Sequence, residues 1–342
     1  MKLATPHLIA DAIPLLDVSA YLAGERAALE PLAAELRWAF ENVGFYYLRG
    51  HAIDRSLIDA TYAAAARFHA QPMEKKLALG TDEHNIGYLA MASGQWANRR
   101  RSRNDAYFLR RERRADDPAV LANRRFHGMN RWPDDVPGFR DTALAYMKAL
   151  ERLCQRLVPI YALALDMPAD TFDAAYAVPH IILRMSHYPP LGDADDDEVS
   201  LVPHTDSGFM TLLPPNPVPG LSIQLPDGRW IDAPGVEDAF VVNGGDILHR
   251  WTNERFLSTP HRVINRSDRD RYAIPFFCDP HHDTVIECLP SCSSPQNPPK
   301  YPPIQFGDYA AWFARKSYEH LAARPGPDDT TITPGERATR RW

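Results

Sequence analysis

A mainly β fold with flanking helices, built on a double-sheet jelly roll, is predicted by three observations. Between Ile181 and Phe277 the chain breaks into short β-rich runs: Ile181–Met185, Phe209–Leu213, Ser222–Gln224, Phe240–Val242, Arg262–Ile264 and Tyr272–Phe277. Turn chemistry separates them, as in Pro226-Asp227-Gly228 and Asn243-Gly244-Gly245-Asp246. The 31 prolines in 342 residues exceed ordinary usage and suit a loop-rich protein. Short, evenly spaced strands mark a sandwich or barrel, and the jelly roll is the economical way to close one.

Before this region the pattern is mixed. Ile13–Asp17 reads as an opening strand. Glu25 to Val43 reads as a helix, with Leu29, Leu32, Leu36, Ala39 and Phe40 on one face, Pro31 in an early turn and Gly44 as the stop. Phe45–Leu48 is strand-like, and a second helix is predicted from Leu57 through Ala70. A long helix follows from Gly138 to Asp166, with a kink expected at Pro159. Tyr309–Leu321 reads as a C-terminal helix outside the sheet. The chain is expected to be a single domain, 1–342, with a helix-rich region carrying short strands over 1–175, the jelly-roll metal-binding core over 176–285, and a C-terminal loop and helix over 286–342.

Composition narrows the function classes. With 45% hydrophobic and 24% charged residues the chain can bury a large core, and its apolar runs fall far short of the roughly 20 residues of a membrane span. The N-terminus lacks the pattern of a signal peptide, so a cytoplasmic setting is expected. Four cysteines make no disulfide framework. A net charge of −6 argues against nucleic-acid or membrane partners. One local basic stretch, Arg99-Arg100-Arg101, Arg103, Arg110-Arg111 and Arg113-Arg114, reads either as solvated surface or as an attractor of a small anion at a pocket mouth. The acidic run Asp193–Glu198 reads as a solvated loop.

The chemistry-bearing candidates are His204-Thr205-Asp206 and His261. An H-x-D triplet arises by chance about once in a chain of this composition, and a second one is present, His281-His282-Asp283. Strand geometry separates them. Residues i and i+2 of a strand share a face about 6 to 7 Å apart, so both can reach one ion. The first triplet is followed by the run Phe209–Leu213, and His261, beside the apolar Val263-Ile264 pair, sits on another run. The second triplet has only His320 downstream, and reads as loop surface. Two imidazoles and a carboxylate make a facial set for non-haem Fe(II), leaving other positions for small molecules, whereas structural zinc favours a closed four-ligand shell. Arg271, ten residues after His261, suits bidentate capture of a carboxylate.

These residues, with Gly44-Phe45-Tyr46-Tyr47-Leu48, Asn130-Arg131-Trp132-Pro133, His187-Tyr188-Pro189-Pro190, Asn243-Gly244-Gly245-Asp246 and Ser258-Thr259-Pro260-His261-Arg262-Val263, resemble the isopenicillin N synthase-like family of Fe(II) and 2-oxoglutarate-dependent oxygenases. The resemblance extends over most of the chain. It implies a double-stranded β-helix, the jelly roll, wrapped by helices. It implies that His204, Asp206 and His261 ligate iron, that Arg271 pairs with the distal carboxylate of 2-oxoglutarate, and that Tyr188 contacts a carboxylate of co-substrate or substrate. The implied reaction consumes O2 and 2-oxoglutarate, yields succinate and carbon dioxide, and oxidises, most simply hydroxylates, a small-molecule metabolite.

Two positions depart from the family pattern. Arg-x-Ser becomes Arg271-Tyr272-Ala273, which removes a hydroxyl from the co-substrate site, and Ser186 stands where plant relatives carry Asn. The first keeps open a 2-oxoglutarate-independent Fe(II) oxidase that cyclises or desaturates its substrate; a non-catalytic jelly-roll binding module is a more distant alternative. Substrate-contact candidates are Tyr88, Arg101, Arg103, Phe209, Ile223, His249 and Phe277. Their mix of aromatic and cationic side chains suggests an acid or amino-acid-like substrate.

Overall fold

The computed structural model describes residues 8–9, 12–91, 102–192, 199–327 and 332. Two sheets face each other. Fourteen strands build them: β1 Leu8–Ile9, β2 Ile13–Asp17, β3 Phe45–Arg49, β4 Gly87–Leu89, β5 Asp105–Arg110, β6 His180–Tyr188, β7 Leu201–His204, β8 Met210–Leu213, β9 Leu221–Gln224, β10 Trp230–Asp232, β11 Ala239–Gly244, β12 His261–Val263, β13 Arg271–Ala273 and β14 Phe276–Asp279. The larger sheet runs β1-β2-β3-β11-β8-β14-β6-β5-β4, with β13 also on β6; the smaller runs β10-β9-β12-β7. β15 Val285–Ile286 and β16 Ile304–Gln305 form a separate pair.

Period-two alternation explains why the larger sheet is buried on both faces. Phe45 and Tyr47 of β3, with Ala239 and Val241 of β11, join Leu221, Ile223 and Val263 of the smaller sheet in the core between the sheets. Their neighbours Tyr46, Leu48, Phe240 and Val242 point the other way and pack with Phe40, Phe68, Tyr146 and Leu150 of the helices Leu29–Asn42, Arg55–His69 and Phe139–Ala164. No helix among the described residues is long and apolar enough to cross a membrane.

The expected strands are present, with instructive differences. The run Tyr272–Phe277 divides into β13 and β14 because Pro275 has no N–H for a ladder. Arg184 of β6 lies opposite this break, its N–H donating to Pro275 O at 3.1 Å. The division of the chain at 175/176 does not divide the sheet. β3 pairs with β11 and β5 pairs with β6 along six registered residues, so the N-terminal region supplies strands to the jelly-roll core itself. The long helix spans Phe139–Ala164 and runs through Pro159.

Candidate metal and anion site

His204 ends β7, Asp206 lies in the turn beyond it, and His261 opens β12, where it is paired directly across from His204. The i/i+2 geometry of a continuous strand is therefore not what joins His204 to Asp206; a strand end and its turn do so. Asp206 and His261 are buried, and His204 is half-buried. Asp206 Oδ1 stands 3.9 Å from His204 Nε2 and 3.7 Å from His261 Nε2, too far for direct hydrogen bonds. Each imidazole fixes its other nitrogen on a backbone carbonyl, His204 Nδ1 on Val202 O at 2.9 Å and His261 Nδ1 on Thr259 O at 3.2 Å. A carbonyl only accepts, so both Nδ1 atoms carry the proton and both Nε2 lone pairs point at the gap. The other carboxylate oxygen, Oδ2, accepts from Thr211 Oγ1 and Asn243 Nδ2, each at 2.7 Å.

Electrostatics agree with that arrangement. Burial, reinforced by the His261 charge, pushes His204 down to about 3, so its imidazole is neutral. Burial alone would raise Asp206, but the His261 and His204 imidazoles and the bonds from Asn243 and Thr211 outweigh it and hold the carboxylate ionised. Two imidazoles that turn Nε2 to the gap and one oriented carboxylate are the donor set that suits Fe(II), and the residues present fit that ion.

A second group of the same composition, His69, Asp105 and His187, lies where the end of the helix Arg55–His69 meets β5 and β6. Its donors already bond one another. Asp105 accepts from His187 Nδ1 at 2.8 Å, His69 Nδ1 at 3.2 Å and Tyr88 Oη at 2.6 Å, with Lys76 Nζ at 3.6 Å. A carboxylate so enclosed, with an ammonium beside it, is a closed hydrogen-bond network, while the first group leaves a gap.

Arg271 is cross-strand from Tyr188 on the β13–β6 pairing, and its guanidinium lies 5.4 Å from the tyrosine ring centroid. It is 2% exposed; Nε donates to Val218 O at 3.1 Å, and Nη1 is buried with no partner among the described residues. A buried guanidinium with an idle donor suits an anion, and the carboxylate of a 2-oxo acid meets that need.

A cavity of about 150 Å³ opens on His204 and Asp206. Its floor is formed by Asn104 just before β5, Phe108 of β5, Ile182 and Arg184 of β6, and Phe277 and Asp279 of β14. Its roof is the helix Phe306–Ser317, through Tyr309, Ala310 and Phe313. That helix lies outside the sheet, yet it walls the site.

Among the sequence-derived contact candidates, Phe277 lines this cavity. Tyr88 sits instead in the helix-side core, donating to Asp105. Phe209 belongs to the aromatic cluster of Tyr161, Phe172, Tyr176 and Trp251. Ile223 packs between the sheets, across from His261. His249 is on the short helix Asp246–Trp251, its Nδ1 donating to Phe256 O at 2.6 Å. Arg103 is half-buried, its N–H on Val199 O, and is not among the lining residues. Arg101, like Arg99, Arg100 and Asp193–Glu198, lies outside the described residues. The basic stretch is locally neutralised: Arg111 pairs with Glu151, Arg113 with Asp117 and Arg114 with Asp116, and Arg110 is buried. His282, expected on a loop surface, is buried against His180, Phe126 and Phe306.

Sequence reading missed Arg184 and Asn104. The available signal was alternation along 180–188, where Ile181, Leu183 and Met185 occupy the odd face while His180, Arg184, Ser186 and Tyr188 share the even one.

Fold and site together define a non-haem Fe(II) oxygenase. Residues 179–280 match the model of the 2OG-Fe(II) oxygenase superfamily, and residues 13–135 match that of the non-haem dioxygenase in morphine synthesis N-terminal region. The chain is 35% identical over 319 residues to a 2-oxoglutarate-Fe(II) type oxidoreductase, hxnY, of Emericella nidulans, covering 91% of each. It is 34% identical to kihadalactone A synthase of Citrus sinensis, covering 88% of this chain and 91% of the relative. Full-length Neurospora crassa T7H, solved with 2-oxoglutarate and thymine, superimposes with a TM-score of 0.79 at 30% identity, over 93% of this chain and 99% of that one. The chain belongs to the 2OG-Fe(II) oxygenase superfamily, an oxidoreductase that uses Fe(II), 2-oxoglutarate and O2.

Proposed function

We propose that the chain, as one oxygenase domain in a cytoplasmic setting, hydroxylates a small-molecule acid, with His204, Asp206 and His261 as the iron ligands and Arg271 as the anchor of 2-oxoglutarate. The observation that carries this reading is the coexistence of the open His-Asp-His gap with the idle, buried Nη1 of Arg271 in one jelly-roll interior. When bound, iron and the 2-oxo acid supply the oxidative decarboxylation that activates dioxygen, releasing succinate and carbon dioxide.

The protein's own residues bind, orient and exclude water. Arg271 receives the distal carboxylate while Tyr188 backs its guanidinium. Val202 and Thr259 hold the imidazole tautomers, and Thr211 and Asn243 hold the carboxylate. Phe277 and the C-terminal helix close an apolar wall around the substrate. That T7H was solved with thymine supports a substrate of small-molecule size.

Ala273 favours one other reading, an oxidase that takes all its electrons from substrate and needs no 2-oxo acid. Incubating the Fe(II) protein with 2-oxoglutarate and measuring succinate separates the two. Succinate release, stimulated by substrate, is expected; a substrate oxidised at full rate without 2-oxoglutarate would overturn the proposal.

A further inference from the structure

Arg184 occupies the β6 position opposite the break between β13 and β14, on the face that carries Ser186 and Tyr188. Its Nη2 donates to Asn104 Oδ1 at 2.9 Å, and its guanidinium carbon lies 5.5 Å from the Phe108 ring centroid. Its Nε is buried with no hydrogen-bond partner among the described residues. Asn104 is a neutral acceptor, so it fixes the plane of the guanidinium without cancelling its charge. The head group lines the same cavity as His204 and Asp206.

Four strand steps lead from Arg184 to Tyr188, about 13 Å along β6, so Arg184 and the Tyr188–Arg271 pair are separate places for an anion. The lining includes the apolar Ile182, Leu201, Phe277 and Phe313, alongside polar groups such as Ser102, Thr205, Asp279 and Arg110. A void of about 150 Å³ with that apolar share of its lining accepts a body the size of a benzene ring. An idle donor on a fixed cation lining a ring-sized space is poorly satisfied until an anionic substituent meets it.

We propose that Arg184 is the substrate-anchoring residue, and that the substrate is a single-ring carboxylic acid. Its carboxylate pairs with Arg184, its ring lies among Ile182, Phe277 and Phe313, and the carbon to be oxidised faces His204 and Asp206. The reaction assigned to that substrate rests on the dioxygenase reading above; the anion site does not.

Calorimetric titration of the Fe(II) protein, anaerobic and with 2-oxoglutarate present, tests this with benzoate and pyridine-3-carboxylate against benzamide and thymine. The acids are expected to bind about ten-fold or more tightly than the neutral rings. Arg184→Gln is expected to remove that preference and Arg184→Lys to restore part of it, with melting temperatures verifying the folds. Equal affinity for acids and neutral rings, no binding of either acid to the wild-type protein, or an undiminished acid preference in Arg184→Gln would overturn the proposal. An acid that binds through Arg184 but elicits no succinate would sustain the anion site and sink the dioxygenase reading instead.

Discussion

Ser186 faces Ala273 across the β6–β13 pairing, two registered positions from Tyr188 and Arg271 and so on their face of the sheet. Ser186 is fully buried, and its Oγ has no partner among the described residues. The family pattern places a hydroxyl at position 273, beside the co-substrate arginine. Here a hydroxyl stands on the neighbouring strand at the same level, on the same face.

Ser186→Ala is therefore expected to weaken 2-oxoglutarate binding by about ten-fold or more, the effect of losing a hydrogen bond to a charged group worth roughly 1.5–3 kcal/mol. Adding Ala273→Ser to that variant should recover most of the affinity. Anaerobic titration of 2-oxoglutarate into each Fe(II) protein measures both. Unchanged affinity in Ser186→Ala would show that Arg271 holds the acid without this hydroxyl.

Metal affinity should depend on the residues behind Asp206 as well as on Asp206 itself. Asp206→Ala removes one of three ligands and is expected to abolish the rise in melting temperature on adding Fe(II). Asn243→Ala keeps the ligand set but releases one of the two bonds to Oδ2, and should weaken metal binding about 10–100-fold. A full metal-induced stabilisation in Asn243→Ala would mean that Thr211 alone suffices to orient the carboxylate.

Gly245 sets the backbone behind the same turn. A Cβ there would meet Asp206 O at 2.6 Å and Gly208 N at 2.8 Å, backbone atoms that cannot rotate away. Asp246 N also donates to Asp206 O at 2.7 Å, tying the two turns together. Gly245→Ala should lower stability by about 1–3 kcal/mol, as overpacking does, and weaken metal binding by shifting Asp206. A denaturant melt and a metal titration check the two effects separately; a wild-type metal affinity would show that the turn absorbs the strain.

Legibility in the sequence followed the distance over which each feature is encoded. His204, Asp206, His261 and Arg271 stood in short motifs whose chemistry is local, and the strand-like runs around them alternate in the expected way. Arg184 was obscured because its partners, Asn104 just before β5 and Phe108 within it, lie about 80 residues earlier, and no local pattern shows that β5 lies beside β6. Phe313 was hidden for a similar reason: the helix bearing it is amphipathic by its own sequence, but what its apolar face covers depends on the closure of the sheet. Tyr88 and Phe209 have the composition of pocket residues, yet both pack into the helix-side core.

His282 misled the sequence reading most, and it leads to a pH prediction. Arg110 Nη1 can only donate, so His180 Nε2 accepts it at 2.7 Å, and the His180 proton on Nδ1 bonds His282 Nε2 at 2.9 Å. His127 packs 4.7 Å from His282, ring centroid to centroid. Burial, followed by the charge of neighbouring rings and arginines, pushes His180 and His282 well below the ordinary histidine value. Burial likewise takes His127 down to about 4. In the unfolded chain all three protonate near pH 6.5, so between pH 6.5 and about 4 the unfolded state binds more protons and stability falls as pH falls. His187 acts oppositely: burial lowers it, but Asp105 and Asp270 outweigh burial and raise it, so its contribution is full below pH 6.5 and is lost as pH rises through its folded value. His127, His180 and His282, with His51, His204 and His320 lowered by burial in the same way, outnumber His187 and Asp279, whose carboxyl burial raises to about 7. They predict a melting temperature that is highest near neutrality and declines toward pH 4. His127→Gln should make that decline shallower, because one of these proton-linked groups is gone. Calorimetric scans of both proteins across pH 8 to 4 measure the slopes, and parallel slopes would mean that His127 is already protonated in the folded protein.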